Sequence, residues 1–216
     1  MVARKSDLFP LRTQLNTNSG TQGDDCGPIT MINVIKWASD NKIAIHQSQA
    51  GMWVKRIRDW ANKPYGGFLL AGDCLQVYES THFKKLFYDI GYHAPTINYQ
   101  FRKSWYDSLA PKLRGGQMIH VGVDYGVLRD GKAPTASSTF RGGHYLALLN
   151  AGVDSGGNRM VWDGDPLFDG RRDYPKGWQK TRLGNIKAAA AEWGAEYIEP
   201  GYNKASFIAI KKGGPR

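Results

Sequence analysis

The sequence contains only two cysteines, Cys26 and Cys74, among its 216 residues. Two thiols are too few to cross-link a small disulfide-rich scaffold or to form a four-thiolate zinc site. We therefore expect each cysteine to act singly, either by packing in the core or by serving as a reactive thiol.

Long hydrophobic runs are also missing. The most apolar stretch, 29–38, is interrupted by Asn33 and Lys36, and it is much shorter than the roughly 18 residues that a membrane span needs. Residues 1–11 are basic but contain neither the apolar segment nor the small-residue cleavage site of a secretory signal. The sequence therefore predicts neither a membrane span nor a signal peptide.

Acidic residues are scarce relative to basic ones, with 19 Asp and Glu against 29 Lys and Arg and a formal net charge of +10. Such a charge favours an anionic partner, namely nucleic acid, an anionic cell-wall polymer or a membrane surface. One basic cluster is interleaved with Tyr174 and Trp178, and it comprises Arg171, Arg172, Lys176, Lys180, Arg182 and Lys187. This cluster could follow a phosphate backbone or hold an anionic wall polymer, although a solvated basic face is the more common role.

A metal site is not expected from the acidic residues. Four aspartates are spaced in a way that invites comparison with a calcium-binding loop: Asp163, Asp165, Asp169 and Asp173. However, Leu167 and Phe168 occupy positions where that loop needs a ligand and a glycine. We therefore discount a calcium site in this segment.

The composition predicts one globular domain. Apolar residues make up 41% and aromatic residues 12% of the chain, which is enough for a core of ordinary size at this length. Residues 1–24 carry Pro10, Gly20, Gly23 and a cluster of Thr, Asn and Ser, which predicts an extended lead-in that ends in a loop. Residues 25–216 are expected to form the single domain.

The first predicted helix is buried. Asp24 and Asp25 offer side-chain caps, and Pro28 suits a first helical turn. Residues 29–38 are then apolar at seven of ten positions. A helix that is apolar nearly all round lies inside a protein rather than on its surface.

Helices are predicted in the first half of the chain and strands in the second. Amphipathic spacing predicts two further helices, over 50–61 and 73–90. A short third helix is expected over 104–114, where Pro111 would kink or end it. An alternation with a period of two predicts four strands, over 117–124, 145–150, 159–163 and 206–211. Short connections between these strands favour an α+β domain in which N-terminal helices pack on an antiparallel sheet.

Cys26 is the candidate nucleophile because it stands at the predicted start of the buried helix. The unpaired N–H groups and the positive dipole end of a helix N-terminus stabilise a thiolate over a thiol. Polar and glycine residues at 22–25 predict an exposed approach to this cysteine. Cys74 has no acid or base group beside it in the sequence and is predicted to pack in the core.

A cysteine nucleophile needs a base, usually an imidazole, and a third group that orients the base. Among the five histidines, His144 follows an Arg-Gly-Gly turn and opens an apolar strand, and functional residues collect at such ends. His120 lies within an apolar strand and is predicted to be a core residue. The remaining histidines, His46, His82 and His93, lie on predicted helix or loop surfaces or just after a helix.

A carboxylate for the third position is expected from the strand that follows His144. This strand leads into the segment Asp163-Gly-Asp165-Pro. If the two strands pair as a hairpin, either carboxylate could reach the imidazole, although an ordinary turn at Asp165 is the simpler interpretation. Asp163 and Asp165 therefore both remain candidates.

These segments together resemble the papain-like cysteine peptidases of the bacteriocin-leader-processing type, as found in phage lysin peptidase domains. The resemblance rests on Gln22 followed by Asp25-Cys26-Gly-Pro at the start of an apolar helix, on Gly-Gly-His144-Tyr at the start of a strand, and on Asp165-Pro at the end of the next strand. Gln22 stands a residue or two closer to the cysteine than the corresponding glutamine of the family.

The resemblance implies a papain-like fold and a definite set of site residues. Cys26 would be the nucleophile, His144 the base and Asp165 the orienting carboxylate, with Asp163 as the alternative third member. Gln22 would complete the oxyanion hole. The implied reaction is hydrolysis of peptide bonds without a cofactor or a metal ion, and the phage-type members imply a peptidoglycan endopeptidase that cuts the stem peptides of bacterial cell wall.

Such an enzyme would be made in the host cytoplasm and act on the wall after release, or be carried in a phage particle. The alternatives are a non-catalytic phage particle or wall-binding component with the same fold, and a cell-wall amidase. The presence of both Cys26 and His144 favours an enzyme. A nucleic-acid partner is supported only by the net positive charge. Binding of nucleic acid would not explain why Cys26 and His144 lie at the starts of a predicted helix and a predicted strand.

Overall fold

The computed structural model describes residues 10–12, 19–20, 24–102, 105–125, 128, 143–167, 178–197 and 205–216. The strands are β1 (Thr96–Arg102), β2 (Met118–Asp124), β3 (Gly143–Val153), β4 (Arg159–Gly164), β5 (Trp178–Arg182) and β6 (Ala205–Lys211). They form one antiparallel sheet in the order β1-β6-β2-β3-β4-β5. The last strand of the chain therefore lies between the first two.

Helices cover both faces of this sheet. They are α1 (Cys26–Ala38), α2 (Ala50–Trp60), α3 (Ala71–Glu79), α4 (Thr81–Tyr88), α5 (Trp105–Arg114) and α6 (Leu183–Tyr197). Every residue of α1 is buried, as its apolar composition predicts. No helix within the described ranges is long and apolar enough to cross a membrane.

Two hydrophobic cores lie on opposite faces of the sheet. The helices α1 to α4 pack on one face and α5 and α6 on the other. Alternating residues of β3 serve both cores, since Tyr145 and Ala147 belong to the first and Leu146 and Leu148 to the second. The sheet is therefore the middle of three layers, and α1 lies directly against β3.

The predicted α+β architecture with an antiparallel sheet is confirmed, as is the hairpin that β3 and β4 form. The single helix predicted over 73–90 is wrong, because the structure has two helices there, α3 and α4. Ser80 separates them: its backbone is extended, and its hydroxyl oxygen accepts a hydrogen bond from the N–H of Phe83 at 3.1 Å. A serine that caps the next helix in this way ends the preceding one.

Three elements were not predicted from the sequence: the edge strands β1 and β5 and the helix α6. The predicted lead-in, 1–24, lies mostly outside the described residues. Where it is described, the backbone N–H of Arg12 donates to the side chain of Asn33 in α1 at 2.7 Å, so this part of the lead-in is attached to the buried helix.

Candidate active site

Cys26 is the first residue of α1, at the N-terminal end of that helix. It is 2% exposed, and its thiol forms a hydrogen bond with the side chain of His144. Cys74 is fully buried in α3, and burial raises the pKa of its thiol. The predicted core packing of Cys74 is therefore confirmed, and of the two cysteines Cys26 is the one beside the imidazole.

His144 is the second residue of β3 and lies between two side chains. Its Nε2 atom is 2.7 Å from Oδ1 of Asp165, and its other contact is the thiol of Cys26. Because Nε2 is used by Asp165, Nδ1 is the ring nitrogen left for the thiol. The structure thus brings Cys26, His144 and Asp165 into one continuous series of contacts.

Asp165 is held in place from more than one direction. It directly follows β4, and its Oδ1 atom accepts a second hydrogen bond from the backbone N–H of Leu167 at 2.8 Å. The hydroxyl of Tyr125 donates to Oδ2 at 3.5 Å, and the ring of Tyr125 packs edge-on against His144 with 4.9 Å between the ring centroids. Carboxylate and imidazole are therefore both oriented by groups around them.

The protonation of His144 follows from these neighbours. Burial lowers the pKa of His144, but the hydrogen bonds with Asp165 and Cys26 and the charges on these two groups raise it by more, to about 9. At neutral pH the imidazole therefore carries a proton. The positive charge of this imidazolium lies beside the thiol of Cys26.

Asp163, the alternative third residue, has its described partners on β5 instead. The side-chain amide of Gln179 donates to Oδ1 at 2.7 Å, and the hydroxyl of Thr181 donates to Oδ2. Between the two aspartates, Gly164 has no space for a side chain, since a Cβ there would lie 2.8 Å from Leu11 and 3.1 Å from the ring of Trp178. This close packing fixes the backbone on which Asp165 stands.

A buried ion pair holds the residue that precedes the nucleophile. Nη2 of Arg58, in α2, is 3.0 Å from Oδ1 of Asp25, and both side chains are fully buried. Ser19 donates to the other oxygen of Asp25. Arg58 also donates to the carbonyl oxygens of Asp24 and Gly67, each at 2.9 Å. The backbone on the N-terminal side of Cys26 is thereby attached to α2 and to the loop after it.

The prediction that Asp24 and Asp25 cap α1 with their side chains is wrong. Asp25 is the N-cap residue by position, but its side chain makes no capping hydrogen bond, and Asp24 accepts from the N–H of Gly67 at 3.1 Å. The physical reason is the buried guanidinium of Arg58, because a charge removed from water requires a partner of opposite charge.

We expect Arg58→Ala to lower the free energy of unfolding by about 3–5 kcal/mol, because it leaves the carboxylate of Asp25 buried without its cation. Denaturant unfolding of the variant and the wild type measures this difference. Lys55→Ala is the matched control, since Lys55 is exposed on the same helix and should change stability by no more than about 0.5 kcal/mol. Equal stabilities of the two variants would contradict the role of the ion pair.

Gly27 lies where α1 packs against β3. A Cβ at this position would lie 3.4 Å from Leu69 and 3.4 Å from the ring of Tyr145, which is van der Waals contact. Gly27 directly follows Cys26, and Tyr145 directly follows His144. The helix that carries the thiol and the strand that carries the imidazole therefore pack closely beside the site.

The loop 61–70 lies beside this contact. The ring of Phe68 stacks on that of Tyr145 with 5.2 Å between centroids, and Gly66 and Gly67 have φ angles of 108° and 83° that favour glycine. Tyr65, just before them, is 99% exposed. The loop thus presents an aromatic side chain to solvent close to the residues that flank Cys26 and His144.

His120 is a core residue, as predicted. It is 1% exposed in β2, its Nδ1 atom is 2.8 Å from the hydroxyl of Tyr78, and its ring packs edge-on against Tyr145. Burial lowers its pKa to about 3. Its Nε2 atom has no hydrogen-bond partner within the described part of the chain, so only one of its two ring nitrogens forms a hydrogen bond there.

Several predicted residues cannot be placed. Gln22 lies outside the described residues, as do Arg171, Arg172, Lys176 and Tyr174 of the basic cluster and Asp169 and Asp173 of the acidic segment. Within the cluster, the ammonium group of Lys180 lies 5.2 Å from the ring centroid of Trp162. In the ranges that are described, no group of three or more His, Cys, Asp or Glu side chains could hold a metal ion.

Two residues that support the site, Arg58 and Tyr125, were not predicted from the sequence. Arg58 lies within a helix whose amphipathic pattern suggests an exposed cation, and nothing in the sequence pairs it with Asp25. Tyr125 follows the end of β2, and the only available signal is that residues at strand ends are often functional.

Comparison with known proteins supports the fold. No known family profile and no curated protein matches the chain. A crystal structure from Bacillus anthracis, provisionally described as a C39-like peptidase, is similar with a TM-score of 0.52, over 96% of this chain and 96% of that one, at 14% sequence identity. The chain therefore has the fold of a C39-like peptidase, which is papain-like.

Proposed function

Because the chain shares the fold of a C39-like peptidase, we propose that it is a cysteine peptidase that uses Cys26, His144 and Asp165. The observation that carries this proposal is the series of contacts from thiol to imidazole to carboxylate, in which Nε2 of His144 lies 2.7 Å from Asp165. A nucleophile, a base and a group that orients the base are the parts that covalent hydrolysis of an amide requires.

In the first step, the thiolate of Cys26 attacks the carbonyl carbon of the scissile amide and forms a tetrahedral intermediate. The imidazolium of His144 then gives its proton to the departing nitrogen, so the C–N bond breaks and an amine leaves. The acyl group remains on sulfur as a thioester. Asp165 accepts a hydrogen bond from Nε2 and so directs Nδ1 toward the reacting atoms.

The negative charge on the oxygen of the intermediate needs hydrogen-bond donors. The N–H groups in the first turn of an α-helix are not used by the helix itself, and Cys26 and Gly27 occupy that turn of α1. We assign these backbone groups to the oxyanion, with the side chain of Gln22 as a further donor. Such donors stabilise the transition state because they are already oriented before the charge develops.

In the second step, water attacks the thioester. Neutral His144 takes a proton from the water, and the hydroxide adds to the carbonyl carbon. The C–S bond then breaks, so that a carboxylic acid product leaves and the thiolate and imidazolium are restored. Atoms and charges balance without a metal ion or a cofactor.

We expect kcat/KM to fall as pH rises through about 9, because the imidazolium of His144 then loses the proton that the leaving amine needs. Asp165→Asn keeps an oxygen that can accept from Nε2 but removes the negative charge that helps to raise the pKa of His144, so this decline should move to lower pH. The variant should also lose about a hundredfold in kcat/KM. Rates on a short peptide across a pH series measure both effects.

Asp163→Asn is the matched control for that experiment. The carboxylate of Asp163 accepts hydrogen bonds from Gln179 and Thr181 on β5, whereas His144 Nε2 contacts Asp165, so the variant should be less stable but should keep the decline at the pH of the wild type. A shift of the decline in Asp163→Asn and not in Asp165→Asn would assign the orienting role to Asp163.

We propose the stem peptides of bacterial peptidoglycan as the substrate. The formal charge of +10 supports this assignment, because the anionic polymers of a cell wall attract a cationic enzyme and retain it near its substrate. The resemblance to phage lysin peptidases supports it as well. On this proposal the enzyme is made in a host cytoplasm and reaches the wall after release, or travels in a phage particle.

Incubation of the purified protein with bacterial sacculi tests this assignment. Mass spectrometry of the released fragments should show new amino and carboxyl termini inside stem peptides or their cross-links. Cleavage between the sugar and the first amino acid would identify an amidase instead. If the wild type releases no more fragments than Cys26→Ala from sacculi of diverse wall chemistry, peptidoglycan is not the substrate.

A further inference from the structure

An open groove of about 490 Å³ lies along α4. Its α4 wall is formed by Lys84, Lys85 and Tyr88, and its other wall by His93 and Arg216. Tyr88 is 64% exposed, which is unusual for so large an aromatic side chain. The mechanism uses none of these residues, so the groove has no role in the reaction as derived above.

The second wall of the groove is built by backbone pairing. The N–H of His93 donates to the carbonyl oxygen of Gly214 at 2.9 Å, and the N–H of Arg216 donates to that of Gly91 at 2.8 Å. A Cβ at Gly213 would lie 2.1 Å from the carbonyl oxygen of His93, so only glycine permits this approach. The segment 211–216 is therefore a fixed part of the groove.

Three of the residues that line the groove are cationic: Lys84, Lys85 and Arg216. The guanidinium of Arg216 lies 4.5 Å from the ring centroid of Tyr88, and Lys84 and Lys85 are exposed on α4. Lys85 is paired with Asp89, whereas neither Lys84 nor Arg216 has an ion-pair partner among the residues that the structure describes. Two cations beside an exposed ring are thus available to a ligand.

The groove lies far from Cys26. Asp40, just beyond the C-terminal end of α1, contacts the hydroxyl of Tyr92 at 3.4 Å, while Cys26 is at the other end of that helix. A helix of 13 residues is about 20 Å long. In the sheet, Ile210 pairs with Met118 at the start of β2, and His144 pairs near the end of β2. The contact of Tyr92 with the end of α1 and the position of Ile210 in the sheet therefore both place the groove far from Cys26 and His144.

We propose that this groove binds an anionic glycan, a sugar or polyol polymer that carries phosphate or carboxylate groups, and so holds the enzyme on the wall. The assignment rests on the peptidase function proposed above. Exposed aromatic rings pack against the faces of sugar rings, and Lys84 and Arg216 are placed to bind the anionic groups. The ligand would remain bound while Cys26 acts on a peptide elsewhere on the wall.

The charges favour a sparsely charged polymer over nucleic acid. Asp40 and Asp89 lie among the cations around the groove, and a polynucleotide, with a phosphate at every nucleotide, would meet these carboxylates as well. Tight binding of nucleic acid also requires many phosphate contacts along an extended surface. A short groove with two available cations suits a polymer in which uncharged units separate the anionic groups.

Affinity measurements with the full chain carrying Cys26→Ala test the proposal, because this variant leaves any ligand intact. The probes are a purified glycerol-phosphate polymer, neutral dextran of similar size and a single-stranded oligonucleotide. We expect Lys84→Ser with Arg216→Ser to weaken binding of the glycerol-phosphate polymer about tenfold. Lys55→Ser with Arg114→Ser removes the same charge from exposed positions elsewhere and should change affinity less than about twofold.

Equal losses of affinity in the two double variants would show that net charge alone weakens binding, and would overturn the proposal that the groove is a binding site. Tighter binding of the oligonucleotide than of the glycerol-phosphate polymer would assign the groove to nucleic acid instead. On a Cys26 background, the Lys84 and Arg216 double variant should still cleave a short soluble peptide at the wild-type rate. Failure of the wild type to cleave any peptide would contradict the proposed function while leaving the binding result valid.

Discussion

Cys26→Ala is expected to lower kcat/KM by at least about 10⁴-fold, because it removes the atom that forms the thioester. The fold should be unaffected, since alanine fits where cysteine was and no hydrogen bond that stabilises α1 is lost. Hydrolysis of a peptide and the unfolding midpoint, measured on the same preparation, separate these two expectations. Cys74→Ala is the matched control and should retain turnover while it loses some core packing.

Alkylation distinguishes the two thiols without a substrate. Brief treatment with iodoacetamide near neutral pH should modify Cys26 ahead of Cys74, because Cys26 lies beside the imidazolium of His144 whereas burial raises the pKa of the Cys74 thiol. Peptide mapping identifies the modified residue. Faster modification of Cys74, or unchanged turnover in Cys26→Ala, would overturn the assignment of the nucleophile.

His144→Ala is expected to lower kcat/KM by about 10²–10⁴-fold, because in the proposed mechanism the leaving amine and the attacking water both exchange a proton with this imidazole. Cys26 in this variant should also react more slowly with iodoacetamide, since the neighbouring positive charge is gone. A residue that served only the fold would not change the reactivity of the thiol in the folded protein. The two measurements together therefore identify a catalytic role.

His120→Ala is the control for that variant. It removes a hydrogen bond to Tyr78 and packing against Tyr145, so the free energy of unfolding should fall by about 1–3 kcal/mol. The reactivity of Cys26 should be retained below the unfolding transition. If His120→Ala slowed alkylation of Cys26 and His144→Ala did not, His120 would have to be the base.

Local sequence signals were enough to select two of the residues that the structure brings together. Cys26 is the first residue of α1 and His144 the second residue of β3, and the change from glycine and polar residues to apolar ones is visible there in the sequence. The sequence left the third residue open between Asp163 and Asp165, because the two differ by only two positions and a sequence pattern does not show at which residue a strand ends. In the structure, the contact of His144 Nε2 with Asp165 and the contacts of Gln179 and Thr181 with Asp163 distinguish the two.

The elements that were not predicted have weak local signals for physical reasons. β1 and β5 are the edge strands of the sheet and carry polar residues such as Gln100 and Lys180, so their alternation is faint. The burial of Arg58 depends on Asp25, which is 33 positions away in sequence. The place of β6 between β1 and β2 likewise depends on packing of the whole sheet rather than on any local pattern.

Gly27 carries no functional group, yet it lies at the contact between the helix that carries Cys26 and the strand that carries His144. A Cβ there would lie 3.4 Å from Leu69 and 3.4 Å from the ring of Tyr145, so one added carbon would already fill the space between the two layers to van der Waals contact. A side chain longer than a methyl group would have to displace Leu69 or Tyr145. The spacing of the proposed nucleophile and base therefore depends on an interlayer contact as well as on the two residues themselves.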